Sequence, residues 1–74
     1  MRYMLGMSGQ ATAQRAQNIL MTLRPPIFSE VKHTTNPGGC SWGVEVETND
    51  IDYIIRILAE YRIAAKTVRL NTVG

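Results

Sequence analysis

Ser41-Trp42-Gly43-Val44-Glu45-Val46-Glu47 is the stretch that decides the fold. Its residues alternate with a period of two, which is the period of a strand. Trp42, Val44 and Val46 fall on one face, and Gly43, Glu45 and Glu47 on the other. The first face is expected to meet a core, with Trp42 as its largest anchor. The second, with its two carboxylates, is expected to be solvated, as in an antiparallel sheet covered on one side only.

Downstream, Asn49 is the expected cap of a helix, with Asp50 and Asp52 in the first turn, where negative charge is favoured. Ile51, Ile54, Ile55 and Leu58 form its apolar stripe, and Tyr61 extends it. Lys66 to Leu70 reads as a last strand with Val68 and Leu70 inward. Upstream lies a turn-rich loop, Thr35 to Ser41. Before it, Ile27 to Thr34 reads as a strand with Ile27, Ser29, Val31 and His33 on one side. Glu30 and Lys32 point outward there, which suits an edge. Tyr3-Met4-Leu5 reads as a first strand ending at Gly6, and Ser8 as the cap of a helix from Gly9 to Arg24. Ala13, Ala16, Leu20 and Leu23 share one face of that helix, with Ile19 beside them. Pro25-Pro26 ends it, because proline lacks the donor and restrains the residue before it.

The order is β-α-β-β-α-β. Such a chain is expected to fold as one α+β domain, residues 1–74, in the ferredoxin-like arrangement. That is a four-stranded antiparallel sheet of order 4-1-3-2 with two helices on one face; the order satisfies right-handed crossovers. It puts the loop between the second and third strands at the sheet end where the first strand leaves and the first helix starts. The end of the second helix and the entry to the last strand, near Arg62 and Lys66, share that end.

Composition narrows the function. The chain has 74 residues, enough for one domain with a modest core. Its hydrophobic fraction of 45% is too high for a disordered chain. The net charge is +2, and the eight Lys and Arg residues are scattered rather than clustered. That excludes the usual footprint of a nucleic-acid binder. No apolar stretch is long enough for a transmembrane helix. One cysteine cannot form an internal disulfide, so a reducing cytoplasm is the expected location. With one His and one Cys, a metal site within the chain is not expected, nor is a cofactor. No Ser-His-Asp set can be assembled. The Asp50/Asp52 pair reads as helix-capping charge, not as acid–base machinery.

The remaining chemical candidate is Cys40, which closes the run Asn36-Pro37-Gly38-Gly39-Cys40. A free cysteine is often simply buried packing. At the mouth of a glycine loop it can instead be a nucleophile or a sulfur carrier. The expected topology sets it near Ser8, Gly9 and Gln10, at the positive start of the first helix, where an anion is favoured. Gly38, Gly39 and Ser41 would line the approach to the sulfur. Lys66, Arg62 and His33 would add positive charge. All of these favour the thiolate.

Gly38-Gly39-Cys40-Ser41-Trp42-Gly43-Val44-Glu45-Val46, followed by a helix from Ile51 to Tyr61, resembles the Se/S carrier-like family of small bacterial proteins. The likeness runs from about Tyr3 to Leu70. It implies that Cys40 holds sulfur or selenium as a persulfide or selenosulfide and passes it on without turnover of its own. It also implies an unidentified protein donor or acceptor. The chain departs from the family twice. His33-Thr34-Thr35-Asn36-Pro37 lacks the arginine that many relatives carry before the cysteine, and Ser41 stands where many have glycine.

Two other readings compete. One is a non-enzymatic regulatory or interaction module, with a homodimer through the sheet if Tyr3 or Phe28 shows on its uncovered face. The other is RNA binding on the sheet, which needs exposed aromatics on the central strands and has only Tyr3 to offer.

Overall fold

A computed structural model describes residues 1–33 and 41–70. The elements are β1 (Arg2–Met7), α1 (Gln10–Met21), β2 (Ser29–His33), β3 (Trp42–Glu47), α2 (Ile51–Glu60) and β4 (Thr67–Leu70). The architecture is α+β. All four strands join one antiparallel sheet in the order β2-β3-β1-β4. The same row counted from the β4 edge reads 4-1-3-2.

The register explains the core. Tyr3 pairs with Val46, Leu5 with Val44 and Met7 with Trp42, so one face of the two central strands is apolar. Leu5, Met7, Val44 and Val46 are buried there in one cluster with Ala13, Ala16 and Leu20 of α1 and Ile54 and Leu58 of α2. Both helices therefore pack on that face. Alanines at 13 and 16 let α1 approach the strands closely, and Leu20 and the half-buried Ile19 and Leu23 fill the far end. Tyr3 is half-buried on this helix side and packs against the cluster. It is not on the opposite face, so the expected role of Tyr3 in a sheet-face dimer or in base stacking lapses.

Boundaries move by a few residues. β1 extends beyond Gly6 to Met7, because Gly6 pairs with both Gly43 and Thr67 and continues the ladder. α1 starts at Gln10 with Gly9 as its cap, and no side chain caps it. The Ser8 hydroxyl lies instead 3.1 Å from the Thr12 hydroxyl. α1 ends at Met21, short of Arg24. The Thr22 and Leu23 amides turn back to the carbonyls of Ile19 and Leu20, and Ile27 donates to Leu20 as the chain reverses. α2 is capped by Asp50, not Asn49: the Tyr53 amide donates to the Asp50 carboxylate at 3.1 Å. The Asp50 amide in turn donates to the Thr48 hydroxyl at 3.0 Å, which fixes the cap.

α2 closes with paired backbone bonds. Arg62 N–H donates to Ala59 and Ile63 N–H donates to Leu58, both at 2.9 Å. This is the Schellman arrangement, in which the first of the two donors takes the left-handed conformation. Arg62 supplies it at φ 62°. Ile63, next in line, is buried against the core with Leu58. The chain then returns to the sheet, where the Lys66 amide donates to the Gly6 carbonyl at 2.8 Å.

Candidate functional site

The row His33–Trp42–Met7 marks one end of the sheet. His33 is the last residue of β2, Trp42 the first of β3 and Met7 the last of β1. α1 begins three residues beyond Met7, and Lys66 is bonded to Gly6 beside it. The two residues that flank segment 34–40, His33 and Ser41, thus stand at the end where α1 starts and β4 enters. Cys40, Gly38 and Gly39 lie outside the described residues.

The other sequence-derived positions can be placed. Ser8, Gln10 and Ser41 are exposed, and Gly9 is half-buried. Gly9 has an extended backbone, and a Cβ placed on it would meet nothing within 4 Å. The first turn of α1 carries no acidic residue, so its N–H groups and their partial positive charge are not neutralised from within the helix. His33 is exposed, and its ring meets Trp42 edge-on, with centroids 5.0 Å apart and planes at 90°. That geometry is a favourable aromatic pairing. Trp42 is half-buried and leans on the core rather than lying fully within it. Lys66 and Arg62 are both exposed. No group of three metal-ligating side chains occurs among the described residues.

The face away from the helices departs from the sequence reading. Glu45 is not solvated; it is 7% exposed. Lys32 Nζ lies 3.1 Å from its Oε1, and Arg2 lies 3.9 Å away. Glu47 is the solvated one, with Arg2 at 3.5 Å. Lys32 is accordingly half-buried rather than fully outward. The sequence does hold a signal for this pairing: Lys32 pairs with Gly43 in the register, so its side chain can lean along the strand to Glu45 without meeting another side chain. Reading it requires the register.

At the β4 edge, Val68 and Leu70 point to the helix side, since they pair with Leu5 and Tyr3. They are nevertheless 43% and 46% exposed. Their expected burial is corrected: among the described elements α1 packs over β2 and β3, and β4 lies outside its cover. Phe28, just before β2, is 66% exposed.

The chain matches no family model, no curated protein and no solved structure. No helix among the described residues is long and apolar enough to cross a membrane.

Proposed function

We propose that this chain is a small carrier protein of ferredoxin-like fold, working in a reducing cytoplasm, in which Cys40 holds a transferable sulfur or selenium atom. One observation carries the reading: both residues that flank segment 34–40 sit at the end of the sheet where the uncapped start of α1 and the Lys66 backbone also lie. Partial positive charge from the helix and the Lys66 side chain at that end favour a thiolate. The family resemblance of the Gly38-Gly39-Cys40 stretch points the same way. The transfer step needs no oxidant. The Cys40 thiolate attacks the outer sulfur of a donor persulfide, a sulfur–sulfur bond forms on Cys40, and the donor leaves as its own thiolate. Selenium would be held in the same way, as a selenosulfide.

The test is direct. Native protein is incubated with glutathione persulfide and its intact mass recorded, alongside the alkylation rate of Cys40 as a function of pH. The reading expects one added sulfur atom, lost in Cys40→Ser, and alkylation that is fast at neutral pH. A thiol that reacts only after denaturation sinks it. The alternative, an interaction module, expects Cys40→Ser to keep every binding function of the native chain.

A further inference from the structure

β4 is one edge of the sheet, and its inner flank pairs with β1. Among the described residues no strand pairs with its outer flank. Such an edge displays N–H and C=O groups able to accept another strand. The two edges of this sheet differ in how they are protected. β2 carries Glu30 and Lys32, charges of both signs, and Lys32 is engaged with Glu45. β4 and its approach carry Arg62, Lys66 and Arg69, and no acidic residue lies between 62 and 70. Arg69 is exposed on the face away from the helices and enters none of the described ion pairs. Val68 and Leu70 are exposed on the helix side. The edge thus presents apolar side chains to one side and, to the other, a cation that none of the described ion pairs engages.

We propose that the outer edge of β4 accepts an extended segment of a partner protein as a fifth strand, one in which apolar and acidic side chains alternate. Its apolar residues would cover Val68 and Leu70, and its carboxylates would meet Arg69. Backbone pairing gives affinity, and the alternating side chains give choice of partner. Charge argues against a second copy in this position. It would bring Arg69 beside its own copy, a residue of the same sign, which disfavours direct pairing. The proposal does not depend on the chemistry of Cys40.

A short capped peptide of alternating valine and glutamate is the probe. It is titrated into the full isotope-labelled chain while backbone amide shifts are followed. The expected shifts concentrate at residues 67–70 and weaken as salt rises. Arg69→Glu, an exposed change checked for retained amide dispersion, weakens binding about tenfold. A peptide with lysine in place of glutamate does not bind. The proposal is overturned by no binding at about 1 mM peptide, by shifts centred on β2, or by equal binding of the lysine peptide. It is equally overturned if sedimentation shows a dimer of this chain whose interface is β4.

Discussion

Lys32 and Glu45 form a 3.1 Å ion pair on the sheet face turned away from the helices, and Glu45 within it is almost wholly buried. The pair ties the β2 edge to the central strand β3 by side chains as well as by the ladder. Glu45 is directly opposite Glu30, a like charge, so the cation beside it also offsets a cross-strand repulsion. Removing the lysine leaves a buried carboxylate with less compensation, and such losses exceed those at exposed pairs. Lys32→Met is expected to cost about 1–2 kcal/mol in urea unfolding. The double-mutant cycle with Glu45→Gln should return a coupling near 1 kcal/mol. A coupling indistinguishable from zero would show the contact to be incidental.

Leu58 is 1% exposed at the meeting of α2, the sheet and Ile63, whereas Tyr61, one turn on, is 52% exposed. Leu58→Ala is expected to cost about 2–5 kcal/mol, the usual range for an emptied leucine site. For a chain of 74 residues, whose whole folding free energy is about 4–11 kcal/mol, that is a large share. Leu58→Ala should therefore unfold at a much lower urea concentration than the parent when followed by circular dichroism. Tyr61→Ala should stay within about 0.5 kcal/mol of the parent. Similar losses for both would mean that α2 packs on a different face.

The cap of α2 separates two adjacent residues that look alike in the sequence. Asp50 accepts from the Tyr53 amide; Asn49 is exposed and has no such bond. Asp50→Ala is expected to lower stability by about 1 kcal/mol and Asn49→Ala by only a few tenths. Chemical denaturation of both variants decides it, and the reverse ranking would return the cap to Asn49.

Arg62 occupies the left-handed position that closes α2. An arginine there bears a Cβ strain that glycine lacks, roughly 1–2 kcal/mol. Part of any gain is offset, since glycine loosens the unfolded chain. Arg62→Gly is expected to stabilise the fold by about 0.5–1 kcal/mol, seen as a rise in Tm of a few degrees. A fall in Tm would mean that the arginine side chain holds something worth more than the strain.

Gly9 can be improved by the same logic. Its backbone is extended, a conformation open to any residue, and a side chain added there meets open space. Gly9→Ser would place a hydroxyl where it can accept from the first free amides of α1. A gain of about 0.5–1 kcal/mol is expected from the cap and from the stiffer unfolded chain together. An unchanged melting curve would place the serine oxygen out of reach of those amides.

Local patterning made much of the fold legible. The alternation from Trp42 to Glu47 marked β3 and its core face, and the stripe Ala13, Ala16, Leu20 marked the buried side of α1. Isoleucine and leucine at 54 and 58 did the same for α2. Helix ends were less legible. Ser8 and Gly9, or Asn49 and Asp50, are neighbours of similar capping ability, and one residue of backbone geometry chooses between them. Of the candidate site, Ser8, Gly9, Gln10 and Ser41 were readable as positions near one sheet end, because strand direction follows from the element order.

What the residues alone determined is where each element runs and which face it buries, since periodicity and turn chemistry act within a few residues of chain. What only the tertiary structure decided is the fate of groups that meet across strands. Glu45 looked solvated and is buried, because Lys32 reaches it from the next strand; Val68 and Leu70 looked buried and are exposed, because α1 packs over β2 and β3 and β4 lies outside its cover. Burial and ion pairing depend on which strands lie side by side, and nothing within a single strand encodes its neighbours.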